Sequence, residues 1–240
     1  MIRRFFSQEW AKLKEMNFTD KRQYIWEYYK IHIFVIGFSL FMIGSLINVW
    51  FINPPQRDYL YVAWQAGMVH TDPLDAMGER LGAIVPDQDR YQVTVRSYVR
   101  TGEPQMDQAL VTRLHALISV GELHATITTS QGIQEGADFG LFRSPSEVIA
   151  IIQESNPALY EILTERLLTV TYTLYFEEGA TPNTGIMGIN ISGAPLLVDV
   201  GLGMVDNLYL AVISNSQQVE GIARALAVMF GFEIEAEEDI

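Results

Sequence analysis

The chain has 240 residues, a formal net charge of −13, 49% hydrophobic residues and no cysteine. The missing cysteine excludes disulfide scaffolds, thiolate-bound zinc and iron–sulfur sites, and thiol nucleophiles. The acidity argues against nucleic acid as a partner, because phosphate neutralisation needs clustered Lys and Arg. The charge is also unevenly placed. Residues 1–30 carry seven Lys and Arg against four acids, a net of +3, and residues 31–240 carry nine against 25, a net of −16.

Taken in chain order, residues 1–30 form a cytoplasmic juxtamembrane segment. Ile2, Phe5, Phe6, Trp10, Leu13 and Met16 fall near helical spacing among Arg3, Arg4, Lys12 and Lys14. This predicts an amphipathic helix on an anionic inner leaflet, with docking to a cytoplasmic or membrane partner as the alternative. Thr19 or Asp20 is placed to N-cap the helix that follows. Residues 31–52 contain no formally charged side chain, and 22 helical residues reach about 33 Å, enough for a hydrocarbon core of about 30 Å. Thirteen residues between Ile33 and Ile52 are Ile, Leu, Phe or Val. At about −0.3 to −0.6 kcal/mol each they favour insertion by up to about 4–8 kcal/mol. Trp26, Tyr28, Tyr29 and Lys30 on one side and Trp50 on the other suit the two interfaces, so these five are the candidate anchor residues. Pro54-Pro55 stops the helix, within a linker over residues 53–58. The run is longer than a signal-peptide core and no small-x-small site follows it, so an uncleaved anchor is expected. Basic residues precede the span, so the positive-inside rule puts the N-terminus in the cytoplasm and the C-terminal domain outside the cell membrane.

Residues 59–232 are expected to form one extracytoplasmic α/β domain. Tyr59–Trp64 reads as a strand, Asp72 through Ile84 as a helix capped by Asp72, and Tyr91–Val99 as an alternating strand. Asp107–Val120 has an apolar stripe of Leu110, Leu114, Leu117 and Ile118 and is capped by Gly121; Leu123–Thr129 is the third strand. This β-α-β-α-β order implies a mostly parallel sheet. Ser144–Ile152 and Pro157–Leu167 read as helices, and Thr169–Phe176, Gly185–Ile191 and Tyr209–Ile213 as strands. Ser216 is placed to cap a last helix with a stripe of Val219, Ile222, Ala223, Leu226 and Phe230. Residues 233–240 carry five acids and read as a solvated tail, with cation or partner binding as the alternative.

Two stretches resemble known proteins. Tyr24–Ile33 followed by a span that ends in Asn53-Pro54-Pro55 resembles the anchor of membrane-tethered extracytoplasmic proteins of Gram-positive bacteria. Arg113–Phe142, with its helix, Gly121-Glu122 turn, strand and loop, resembles type II periplasmic substrate-binding proteins, although His124 stands where many members carry Asp. Tyr209–Ser216 resembles that family's return strand before its terminal helix. The resemblance implies a reduced type II substrate-binding fold, and it covers about half of the outer domain. The domain is short for two full lobes, and no lipobox cysteine is present. The likeness therefore implies an accessory or scaffolding subunit of a membrane (ABC-type) transport complex, in contact with integral membrane transporter subunits. A tethered receptor delivering a small polar ligand to a permease is the alternative.

No P-loop, GxSxG, HExxH or zinc-finger spacing occurs, and no nucleophile–base set is visible, so neither an enzyme nor a cofactor is expected. His70, Asp72 and Asp75, and likewise His115, Glu122 and His124, are grouped in sequence; the first group reads as a loop and cap, the second as surface positions, and no metal is expected at either. Gly185, Gly188 and Gly193 read as strand-end turns rather than a phosphate loop, and Asp199 and Asp206 with their glycines as turns. In a parallel sheet a ligand sits beyond the C-terminal strand ends. The candidates there are Gln65, Gly67, Thr129, Ser130, Ser192 and Asn215. All are neutral hydrogen-bonders, suited to a polar uncharged or peptide-like ligand; ordinary caps and turns would look the same.

Overall fold

A computed structural model of the chain describes residues 17–52, 55–175 and 181–233. The amphipathic segment expected before Asn17 and most of the acidic tail lie outside these residues. The chain divides into two units, Met1–Pro55 and Gln56–Ile240.

In the first unit, helix α1 spans Phe18–Ile47 and continues as a π-helical turn over Asn48–Ile52. Its segment Trp26–Ile52 has a mean hydropathy of 2.1 and buries none of its residues, so it is long and apolar enough to cross a membrane. Tyr24 packs against Tyr28 with ring centroids 4.7 Å apart, and Tyr29 lies 6.1 Å from His32. Trp26, Tyr28 and Trp50 expose 65–70% of their surface. The helix begins two or three residues earlier than the expected caps, Thr19 or Asp20, suggest. Asn17 is the N-cap, without a side-chain cap bond, and Thr19 and Asp20 sit inside the first turn. There Asp20 acts on the exposed N–H groups through its charge.

The second unit is a mixed α/β fold around one seven-stranded sheet. Its elements are β1 (Arg57–Trp64), α2 (Thr71–Leu81), β2 (Tyr91–Ser97), α3 (Pro104–Val120), β3 (Ala125–Thr128), α4 (Ser130–Asp138), β4 (Phe142–Arg143), α5 (Ser146–Ser155), α6 (Pro157–Thr164), β5 (Leu167–Tyr172), β6 (Asn183–Asn190), α7 (Pro195–Asp199), β7 (Tyr209–Ile213) and α8 (Val219–Met229). The strand order is β2-β1-β3-β7-β6-β5, with β4 also paired to β7. The ladders of β1 with β2 and with β3 are parallel, and those among β3, β7, β6, β5 and β4 are antiparallel. Five strands (β1, β2, β3, β4 and β6) therefore point one way and two (β7 and β5) the other, so the sheet is mostly parallel in direction. One edge of β7 is shared: Tyr209 meets Asn190 of β6, and Val212 meets Arg143 of β4.

Each face of the sheet has its own core. Leu60, Val62 and Trp64 of β1 join Leu74, Met77 and Leu81 of α2 and Ile222 and Leu226 of α8. On the other face Tyr61 and Ala63 join Leu123, Ile133 and Phe142, with Leu110, Leu114 and Leu117 of α3 packed beside them. Burial on both sides explains the unbroken apolar run of β1. Leu60 and Val62 are 1% and 0% exposed, and burying such side chains stabilises by about 1.5–3 kcal/mol each.

The caps differ from expectation. His70 precedes α2 and Asp72 lies in its first turn; Gln218 holds the N-cap position of α8 without a side-chain cap bond, and Ser216 Oγ, two residues earlier, accepts from Gln218 N–H at 3.4 Å. Gly121, at φ +75, does end α3, where a left-handed residue releases Glu122 N–H to Leu117 O. Gly185 and Gly188 lie inside β6 rather than at its ends. A Cβ at Gly188 would stand 3.3 Å from Ile133 Cδ1, so the glycine lets α4 approach the strand. Helices α4 and α7, and strand β4, have no counterpart in the sequence reading.

Candidate functional site

The crossover through α2 and the crossover through α3 lie on opposite faces and lead to opposite sides of β1. The order reverses between β1 and β3, and the crevice beyond their C-terminal ends is where open α/β sheets bind ligands. Because β7 is antiparallel, its first residue Tyr209 stands beside Thr128, the last of β3. The same edge thus collects the ends of β1, β3 and β6 and the start of β7.

Five of the six expected residues are brought to this edge: Gln65 and Gly67 after β1, Thr129 and Ser130 after β3, and Ser192 after β6. Asn215 is not. It follows β7, which runs the other way, and its Nδ2 donates to Ile118 O near the end of α3. Strand direction, which no residue pattern in β7 reveals, corrects its placement to the opposite edge.

The hydrogen bonds at this edge close on one another. Gln65 N–H donates to Ile127 O at 2.8 Å, and Gln65 Oε1 accepts from Thr126 Oγ1 at 3.1 Å. Trp64, fully buried, donates Nε1–H to Gly67 O at 2.9 Å, with Gly67 at φ +129, where only glycine is unstrained. Thr129 Oγ1 accepts from Gly132 N–H at 3.3 Å and caps α4. Ser130 Oγ accepts from Asn207 Nδ2 at 2.9 Å. Ser192 Oγ accepts from Leu208 N–H at 2.8 Å, and Arg166 Nη1 donates to Ser192 O at 3.0 Å while its guanidinium lies 5.2 Å from the Phe230 ring. Neither serine is hydrogen-bonded to a general base; their partners are an amide, a main-chain N–H and a main-chain carbonyl. The arrangement is suited to holding loops in place and offers no nucleophile activation.

Asn207, Arg166, Thr126 and Trp64 were not foreseen. Asn207 had a signal: it sits at φ +63 just before a strand, and Asp206-Asn207 is a pair that tolerates left-handed turns. Arg166 had none, because its place depends on the antiparallel pairing of β5 with β6.

The buried polar cluster of the domain lies on the other side of β1. Tyr61 and Tyr98 hold their hydroxyls 2.7 Å apart, and Arg113 sits 6.0 Å from the Tyr98 ring. Burial pushes the Tyr61 phenol up, and the bond to Tyr98 adds to the shift. His124, expected at the surface, is 7% exposed, and its Nδ1 accepts from Tyr61 N–H at 2.9 Å. Burial lowers its pKa, and the nearby Asp58 charge opposes that shift without reversing it. Among the described residues no three His, Asp or Glu side chains are grouped to hold a metal ion.

Two concavities lie away from the C-terminal edge. One of about 810 Å³ runs between α2 and β2, and one of about 530 Å³ lies between α5 and α8; neither is lined by Gln65, Gly67, Thr129, Ser130 or Ser192. Compared with known proteins, the chain matches no family model, no curated protein and no solved structure.

Proposed function

We propose that this protein is a single-pass, membrane-anchored accessory subunit of an ABC-type transport complex, with its N-terminus in the cytoplasm and its α/β domain outside, acting through protein contacts rather than catalysis. The observation that carries the reading is the closed edge of the sheet. At the position where a receptor of this topology would hold a solute, Gln65, Ser130 and Ser192 are engaged with Thr126, Asn207 and Leu208. A domain so arranged, following a helix of membrane length, is suited to presenting its surface. The resemblance of Arg113–Phe142 to type II substrate-binding proteins supports the transporter as the setting, and seven basic residues before the span support the orientation.

Affinity capture of the full chain in mild detergent tests the proposal. Polytopic transporter subunits are expected to co-purify in a fixed ratio, and recovery of the chain alone would sink it. In the same preparation, sugars, amino acids and dipeptides at millimolar concentration are expected to leave the melting temperature unchanged. Stabilisation by one of them would favour a solute receptor. Protease applied to intact cells is expected to remove the C-terminal domain and spare the N-terminus.

A further inference from the structure

The segment that joins β6 to β7 leaves and re-enters the sheet at the C-terminal edge, and it holds one large side chain almost wholly in solvent. Met204 is 96% exposed, yet the turn around it is locked. Gly201, at φ +83, follows α7; its N–H donates to Val198 O, and Leu202 N–H donates to Leu197 O at 2.7 Å, so a left-handed glycine closes the helix. Leu202 is buried, Val205 N–H donates back to Leu202 O at 3.2 Å, and Val205 packs on the core beneath. With Leu202 and Val205 turned in, Met204 is left outside. Gly203 sits on Val198, where a Cβ would lie 2.8 Å from Val198 Cγ2, so Val198, 56% exposed, adjoins Met204. Helix α7 packs against α2. Met68, 74% exposed, lies in the short connection from β1 to α2, on the same face and at the same edge.

We infer that Met68, Val198 and Met204 form a docking surface for a protein segment that carries apolar side chains among Lys or Arg. The inference rests on the accessory-subunit reading and names the surface through which that subunit makes its contact. Single apolar side chains on a surface are ordinary, but neighbouring ones on one edge mark an interaction site. Methionine, unbranched and polarisable, suits contact with another protein. Charge selects the occupant. Asp72, Asp199 and Asp206 are exposed in the same two connections, and residues 66–75 and 193–207 contain no Lys or Arg. Arg166, which also reaches this edge, is committed to Ser192 O and the Phe230 ring. A second copy docked about a two-fold axis would set the same aspartates against one another, which is unfavourable. An anionic lipid surface would meet these aspartates and the net −16 of residues 31–240. A segment with Lys or Arg around an apolar centre complements both the methionines and the aspartates. The locked turn presents Met204 ready-made, so little ordering is needed on contact.

Photo-crosslinking in intact cells tests it, with the full chain carrying p-benzoylphenylalanine in place of Met204. Irradiation is expected to give one protein adduct. Asp199→Lys with Asp206→Lys is expected to lower its yield about tenfold, with the melting temperature of the purified chain unchanged. Asp199→Asn with Asp206→Asn, which keeps the shape of both side chains, is expected to lower it by a smaller factor. The same crosslinker in place of Val120, 68% exposed at the opposite edge, is expected to give no such adduct. Five results would overturn the inference: no adduct, an adduct of two copies of the chain, a lipid adduct alone, the same adduct from position 120, or a yield indifferent to both pairs of substitutions. The surface and the setting are separable. If the adduct responds as expected but its partner is not a membrane transport subunit, the docking surface stands and the accessory-subunit reading fails. If transport subunits co-purify while the adduct ignores the substitutions, the reading stands and the docking surface fails.

Discussion

His124 is held as a hydrogen-bond acceptor. Its Nδ1 takes the N–H of Tyr61, while its own N–H donates to Tyr61 O and its carbonyl accepts from Ile213 N–H. The ring thus ties β1 to the segment that enters β3, and it can do so only when Nδ1 is unprotonated. Burial lowers the folded-state pKa below the ordinary value of 6.5. Between the folded value and 6.5 the unfolded chain binds more protons, so stability rises with pH across that window. The contribution of His124 is intact above pH 6.5 and is lost as pH falls through the folded value, at up to about 1.4 kcal/mol per pH unit. Urea midpoints of the wild type and His124→Asn, which keeps an acceptor and cannot titrate, are expected to diverge below pH 6.5, with the wild type falling more steeply. Parallel curves would remove the assignment. Sequence alone placed this histidine at the surface because Leu123–Thr129 has no polar face against which to judge it; both faces of β3 are buried, and all four of its residues lie inside.

The elements that could be read from sequence are those whose one-sided burial leaves a period. Helices α2 and α3 show theirs in Leu74, Met77 and Leu81 and in Leu110, Leu114 and Leu117, and the short alternating strand β2 does so in Val93 and Val95. Helix α4 could not be read, because the side it buries is made of Ile133, Gly136 and Ala137, one large apolar residue and two small ones that leave no stripe. The reason for the glycines is proximity. A Cβ at Gly136 would lie 2.0 Å from the Phe142 ring, and one at Gly132 would lie 2.1 Å from Thr128 Oγ1. Gly136→Ala would gain about 1 kcal/mol in helix propensity but force the ring of β4 aside at about 1–3 kcal/mol. The expected result is a net loss of up to about 2 kcal/mol by urea denaturation. Adding Phe142→Leu is expected to recover part of it, as coupled neighbours do. A neutral or stabilising Gly136→Ala would show that α4 does not press on β4. The direction of β7 was illegible for another reason: five apolar residues pair equally well either way, and direction is set by where the chain leaves β6. It leaves and re-enters at the same edge, so β7 must run down, and the placement of Asn215 follows from that.

At the scale of the whole molecule, the two units differ in what they bury. The apolar helix buries none of its spanning residues. The unit Gln56–Ile240 contains the entire sheet and both cores among the described residues. Its 185 residues, counted from 56 to 240, are enough to sustain a core without help. It also carries 25 acids against nine bases, a net of −16 that favours solubility once the helix is gone. Residues 56–240 expressed alone are therefore expected to be soluble without detergent and to unfold in one cooperative transition. Their urea midpoint should match that of the same domain in the detergent-solubilised full chain to within about 0.5 kcal/mol, the scale of changes away from a core. The measurement is paired far-UV circular dichroism and tryptophan fluorescence, with buried Trp64 as the reporter of β1. A broad or probe-dependent transition, or a midpoint well below that of the full chain, would mean that the apolar helix contributes to the fold, and the independence of the domain would fail.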